Sequence, residues 1–270
     1  MEHPNTPDFS GLSQDLVQEW HRVQQTLEAK GFIQGREYPV LDSVRRNPKD
    51  PVSRSIDHTL LKQDAPRDSY LALFTQAREW DTWSVCVPPN RVPLGVEHLS
   101  GSRVQVCTVV GFPFGYDSTE AKVRETLWSI QQGAREIDMV IPVGMVKDNN
   151  LPYVFEDIRA VVDAAQGNLV KVILEVSELS PAEIVRASAL SCFAGAHFIK
   201  TSTGFASGGA NLDALTLMRR IAGDSRGVKA SGGVKTREFA LQCLSIGVDR
   251  IGASSTAAIL GLESSGGGGY

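Results

Sequence analysis

No two of the four cysteines (Cys86, Cys107, Cys192 and Cys243) are spaced as a C-x-x-C pair, and each sits in an apolar stretch. The pattern offers no chelating thiolate set and reads as buried free thiols in a reducing compartment. The five histidines, at positions 3, 21, 58, 98 and 197, include no H-x-x-x-H or H-x-E pair, so no metal-ligand spacing is present. There is no basic tract and the formal net charge is −4, which leaves no electrostatic footprint for nucleic acid. No G-x-G-x-x-G follows a strand-like run, which weakens any dinucleotide-binding reading. No apolar run approaches the ~18–20 residues of a membrane-spanning helix. Met1-Glu2-His3-Pro4 is neither basic nor apolar enough to open a signal peptide. These absences lead us to expect a cytoplasmic, metal-independent protein with no cofactor, nucleic-acid partner or membrane association.

What remains is 270 residues of ordinary globular composition, 42% hydrophobic and 21% charged, a length that suits one large α/β barrel. Leu16, Trp20, Val23 and Leu27 fall at helical spacing and predict an amphipathic helix over 12–30, packing on the rest of the chain or on a partner subunit. A linker-like stretch over 36–51 follows, punctuated by Pro39, Pro48 and Pro51. Beyond it, β-branched runs alternate with amphipathic segments. Strands are expected at 54–57, 84–87, 104–110, 136–141, 170–176, 197–201, 228–230 and 250–253. Helical patterns fall at 67–80, 119–131, 153–165, 181–193, 212–221 and 236–245, and several end at a Gly able to take positive φ. Strand–helix alternation implies a parallel sheet, and eight strands imply a closed (β/α)8 barrel of the TIM type. The predicted organisation is an N-terminal helical extension over 1–50, a barrel over 51–260 and a flexible glycine-rich tail over 261–270.

Two lysines carry the strongest chemical signal. In His197-Phe198-Ile199-Lys200-Thr201-Ser202-Thr203-Gly204, alternation puts Phe198 and Lys200 on one face, and the small-residue loop places Lys200 at the strand's carboxyl end. Lys229 stands between Val228 and Ala230, just ahead of Ser231-Gly232-Gly233. Two ammonium groups in one cavity would each depress the other's pKa and free an amine to attack a carbonyl; the alternative is that both reach solvent. Lys171 opens its strand low in the barrel, where a structural ion pair suits it better than nucleophilic work. Asp138 is an acid on an otherwise apolar strand, facing away from Ile137 and Met139, and would serve as a proton shuttle or as a structural partner for a lysine. Small-residue turns follow three late strands, at Ser202-Thr203-Gly204, Ser231-Gly232-Gly233 and Ala253-Ser254-Ser255-Thr256, where barrels often hold phosphate. His58 reads as a hydrogen-bonded structural residue and Cys86 as a core thiol.

These motifs resemble one family, the 2-deoxyribose-5-phosphate aldolases. The likeness rests on Ile56-Asp57-His58-Thr59-Leu60-Leu61, Ser84-Val85-Cys86-Val87, Val106-Cys107-Thr108-Val109-Val110-Gly111-Phe112-Pro113, Glu136-Ile137-Asp138-Met139-Val140, Val170-Lys171-Val172-Ile173-Leu174-Glu175, Phe198-Ile199-Lys200-Thr201-Ser202-Thr203-Gly204, Val228-Lys229-Ala230-Ser231-Gly232-Gly233 and Ile251-Gly252-Ala253-Ser254-Ser255, in family order. The resemblance implies a lyase that reversibly cleaves 2-deoxy-D-ribose 5-phosphate to acetaldehyde and D-glyceraldehyde 3-phosphate. It casts Lys200 as the Schiff-base lysine, Lys229 as the group tuning it, and Asp138 with Lys229 as proton carriers. It matches Gly204, Gly232, Gly233, Ser254 and Ser255 to phosphate-contacting positions. The N-terminal extension departs from the family's short forms, and a homo-oligomer, with a dimer favoured, is expected. Tyr270 ends a Ser/Gly tether and is a candidate proton relay, the alternative being a disordered terminus. Another lysine-dependent aldolase or transaldolase and a catalytically silent barrel are the competing readings. The ordered motifs disfavour the first, and the intact Lys200, Lys229 and Asp138 disfavour the second.

Overall fold

The computed structural model describes residues 7–33 and 44–262. Eight parallel strands close into a barrel in simple sequence order. They are β1 (Ile56–Thr59), β2 (Ser84–Val87), β3 (Gln105–Val110), β4 (Glu136–Val140), β5 (Leu169–Ile173), β6 (Phe198–Lys200), β7 (Gly227–Ser231) and β8 (Arg250–Ala253). Around them run α1 (Gln14–Ala29), α2 (Arg67–Trp80), α3 (Val92–Leu99), α4 (Thr119–Gln131) and α5 (Val143–Lys147). The shell is completed by α6 (Leu151–Ala164), α7 (Pro181–Phe193), α8 (Leu212–Ala222), α9 (Arg237–Ser245) and α10 (Thr256–Leu260).

Strand alternation divides the strand residues between two environments. Outward-facing Ile137, Met139, Val170, Val172, Ile199, Val228 and Ile251 join the helices in one continuous apolar core. The register sorts the inward residues into layers of four, contributed by alternate strands, as barrel geometry requires. The deepest holds Ser84, Glu136, Phe198 and Arg250; above it lie Asp57, Cys107, Lys171 and Lys229. Next come Cys86, Asp138, Lys200 and Gly252, and the mouth layer is Thr59, Val109, Ile173 and Ser231. Barrel interiors are usually filled with branched aliphatics; here the lower layers are largely ionic.

The helical extension is part of this packing. α1 lies against α6 and α7. Its Val23 and Leu27 are fully buried and Trp20 nearly so, with the Trp20 ring 5.6 Å from that of Phe193. Burial of each such side chain stabilises by roughly 1.5–3 kcal/mol. Glu19 Oε1 accepts a 2.6 Å hydrogen bond from Arg186 Nε, fixing the register of α1 on α7. α7 begins at a full capping box, Ser180 with Glu183, followed by Pro181.

Several boundaries differ from the sequence expectation. The first strand begins at Ile56 rather than position 54, because Val52–Ser55 coils into a 3-10 turn. The fifth ends at Ile173 rather than 176, because Glu175 adopts φ +59° and starts a new turn. Helices α3 and α5 were not expected: Pro93 and Gly95 interrupt the pattern of the first, and the second is five residues long.

His197, just before β6, gives this fold a pH dependence. Its Nδ1 accepts the Val170 N–H at 3.1 Å, which requires a neutral ring, and burial together with the charges of Arg226 and Lys171 pushes its pKa down to about 4. The unfolded ring titrates near ~6.5. Protons therefore bind preferentially to the unfolded chain below that value, so stability is full above pH ~6.5 and declines as pH falls towards 4. We expect denaturant unfolding to report a loss on the order of 1–3 kcal/mol across that window. His197→Gln should flatten the decline; an unchanged slope in that variant would assign the effect elsewhere.

Candidate active site

Four inward cations meet three carboxylates at the barrel centre. Asp138 receives three ammonium groups: Lys171 Nζ on Oδ1 at 2.8 Å, and Lys200 Nζ at 2.9 Å and Lys229 Nζ at 2.7 Å on Oδ2. Lys229 Nζ also lies 2.6 Å from Asp57 Oδ2, and Lys171 Nζ lies 2.5 Å from Glu136 Oε2. Arg250 closes the network with 2.8 Å to Asp57 Oδ1 and 3.4 Å to Glu136 Oε2. Its guanidinium lies 4.2 Å from the centre of the Trp83 ring, while Trp83 Nε1 donates to Glu136 Oε1 at 2.7 Å. Charge in such a place is tolerable only because every member is paired. Four cations against three carboxylates also mean that one lysine can lose its proton without leaving a carboxylate unpaired.

The electrostatics single out the lysines differently from the sequence expectation of mutual depression. Burial alone would push Lys229 down, but Asp138 and Asp57 outweigh it and raise its pKa above the ordinary lysine value. Lys171 is likewise held well above that value, against burial, by Asp138, Cys107 and Glu136. Asp138, which burial would raise, is held well below the usual carboxylate range by Lys171, Lys200 and Lys229. A carboxylate between the lysines is what reverses the expected sign for Lys229. The carboxylates beside them therefore favour the ammonium form of both Lys171 and Lys229, and both side chains are fully buried. Lys171 takes the structural pairing that its place in the strand suggested.

Lys200 differs in access. It lines a cavity of about 370 Å³ at the carboxyl ends of the strands, whose walls include all five phosphate candidates: Gly204, Gly232, Gly233, Ser254 and Ser255. Asp138 and Lys229 lie behind Lys200 with no exposed surface. Gly204, Gly232 and Gly233 all have positive φ, and at Gly232 close contact excludes a side chain as well. Gly232 has φ +81°, a Cβ there would approach Gly209 Cα and Ser202 Cβ to 3.1 Å, and its carbonyl accepts the Ala210 N–H. Gly252, in the layer of Lys200, leaves room for its neighbours, since a Cβ there would stand 2.9 Å from Lys229 Cε. The loop after β6 is tied down by Glu175, whose carboxylate accepts the Thr203 hydroxyl at 2.5 Å.

Tyr270 lies outside the described residues. His58 is structural in its contacts, with Nε2 against Gln76 Oε1 and Nδ1 against Thr256 Oγ1. Cys86 packs inside the barrel with Cys107 and Val109. Donor atoms of Cys86, Cys107 and Asp138 lie within 4.8 Å of one another, a trio that three separate strands hide from sequence spacing. A metal cation there would face the three ammonium groups already on Asp138, and burial pushes the Cys107 thiol well up, so the donor set does not suit one. Lys62 and Lys235 also line the cavity and were missed, because loop residues carry no periodic signal. Asp57, Glu136 and Arg250 were passed over as well, although two-residue spacing from Thr59, Asp138 and Gly252 places each on an inward face.

Comparison with known proteins agrees with this geometry. Residues 54–263 match the family model described as DeoC/LacD family aldolase. The deoxyribose-phosphate aldolase of Bacillus cytotoxicus is 49% identical over 210 residues, 77% of this chain and 94% of that protein. That of Streptococcus sanguinis is 48% identical over 216 residues, 80% and 98% of the two chains. The solved deoxyribose phosphate aldolase of Aeropyrum pernix, described as a tetramer, superposes with a TM-score of 0.73 at 26% identity and covers 92% of this chain and 97% of its own. With a barrel, a lysine-lined cavity and a match over most of its length, the chain belongs to the DeoC/LacD aldolase family.

Proposed function

We propose that the chain is a lyase that reversibly cleaves 2-deoxy-D-ribose 5-phosphate to D-glyceraldehyde 3-phosphate and acetaldehyde through a Schiff base on Lys200. The observation that carries the assignment of roles is access: of the three lysines on Asp138, Lys200 borders the cavity and the other two are sealed behind it. The Lys200 amine adds to the C1 aldehyde and water leaves, giving an iminium that draws electrons from the C2–C3 bond. The C3 hydroxyl gives up its proton, C2–C3 breaks, and D-glyceraldehyde 3-phosphate departs. The enamine left on Lys200 is protonated at carbon and hydrolysed to acetaldehyde, restoring the amine. Asp138 and Lys229 carry the protons, relayed by water. The turns at Gly204, Gly232–Gly233 and Ser254–Ser255, with Lys62 and Lys235, hold the phosphate at the mouth.

The iminium does the work that a metal would do for an enolate, so none is required. We expect the chain, after exhaustive EDTA treatment, to convert 2-deoxy-D-ribose 5-phosphate to both products at an undiminished rate. Failure to release acetaldehyde would overturn the substrate assignment, and loss restored by Zn²⁺ would overturn the metal-free route. A cytoplasmic location, supported by four free thiols, and a homo-oligomer with a dimer favoured belong to the same reading. Among the described residues no helix is long and apolar enough to cross a membrane.

A further inference from the structure

Ser231 lines the cavity, and its hydroxyl is buried just beneath that wall with no hydrogen-bond partner among the described residues. Its surroundings fix it there. The Ser231 N–H donates to Thr201 Oγ1 at 2.9 Å and the Ser231 carbonyl accepts from the same hydroxyl at 2.7 Å, so the backbone cannot turn away. Gly252 faces it without a side chain, since a Cβ there would stand 2.3 Å from Ser231 Oγ. A buried hydroxyl without a partner costs about 1–3 kcal/mol, so a site that keeps one at a cavity wall is built for a ligand to satisfy it.

Position identifies the ligand group. Ser231 belongs to the mouth layer, one layer above Lys200, and the Gly232–Gly233 turn follows immediately. On the proposed function, C1 of the sugar is bonded to Lys200 and the phosphate sits at that turn, so Ser231 lies beside the middle of the chain. The C3 oxygen must face Asp138 and Lys229 below in order to lose its proton. The C4 hydroxyl is one carbon nearer the phosphate and level with Ser231. We propose that Ser231 hydrogen-bonds the C4 hydroxyl of the substrate, which is the C2 hydroxyl of D-glyceraldehyde 3-phosphate, and so selects hydroxylated acceptors.

The test runs the reaction in the joining direction, with acetaldehyde as donor and two acceptors: D-glyceraldehyde 3-phosphate and 3-oxopropyl phosphate, which lacks the C2 hydroxyl. Ser231→Ala should lower kcat/KM about tenfold for the first and leave the second within about twofold. Ser231→Cys, close in size but a weak donor, should fall between wild type and alanine with the first acceptor. Equal losses with both acceptors, or no loss with either, would overturn the proposal. Borohydride trapping of acetaldehyde alone should be the same in all three proteins, because acetaldehyde has no hydroxyl to engage. Absence of trapping in the unsubstituted chain would instead remove the aldolase reading itself, and this inference with it.

Discussion

Lys200→Arg is expected to reduce turnover by three or more orders of magnitude, the scale on which enzymes lose a covalent nucleophile. Guanidinium stays protonated and cannot form an imine, yet it still offers a cation to Asp138, so the barrel should keep its thermal midpoint to within a few degrees. Borohydride with acetaldehyde should leave a reduced adduct on the peptide containing Lys200 in the unsubstituted chain and none in the variant. An adduct found mainly on Lys171 or Lys229 would show that the lysine at the cavity wall is not the nucleophile.

Lys229→Leu should damage both activity and stability, for separable reasons. Lys229 is a fully buried ammonium shared by Asp138 and Asp57 at 2.7 and 2.6 Å. Removing one partner of a buried ion pair typically costs about 3–5 kcal/mol. Loss of a positioned proton carrier typically costs 10²–10⁴-fold in rate, and we expect roughly a hundredfold at least. Asp57→Asn in the same chain removes one of the two carboxylates that lose a cation, leaving Asp138 with Lys171 and Lys200, and should recover part of the stability in a denaturant titration. Turnover should stay low in that double variant. If turnover returned along with stability, Lys229 would be a structural counter-ion with no part in proton transfer.

Much of this site was legible because strand alternation is a strict period of two. Phe198 and Lys200 facing one way, and Asp138 facing away from Ile137 and Met139, follow from counting, and the barrel places them as counted. Helices at Arg67–Trp80, Thr119–Gln131 and Pro181–Phe193 match their apolar periodicity end to end. Counting could not reveal that Lys171, Lys200 and Lys229 converge on one carboxylate, because that depends on shear and closure of the whole sheet. Without Asp138 between them, the lysines suggest repulsion; with it, Lys229 is held positive. Lys62 and Lys235 escaped for a simpler reason, since nothing in a loop sequence says which way its side chains turn.

The ionic interior also limits how such an enzyme can be made hardier. In a barrel plugged by Val, Ile and Leu, heat resistance can be improved by refilling the interior methyl by methyl. Here the equivalent positions hold Asp57, Glu136, Asp138, Lys171, Lys229 and Arg250, fully paired and adjoining Lys200, so an aliphatic replacement strands a partner's charge. Room for improvement lies outside, in the helical shell and the seam between α1 and α7. The interior itself suits warm conditions, because water's hold on isolated charges weakens as temperature rises and burying them becomes less costly. A hardier variant is therefore to be sought by changing the helical shell and leaving the ionic centre as it stands.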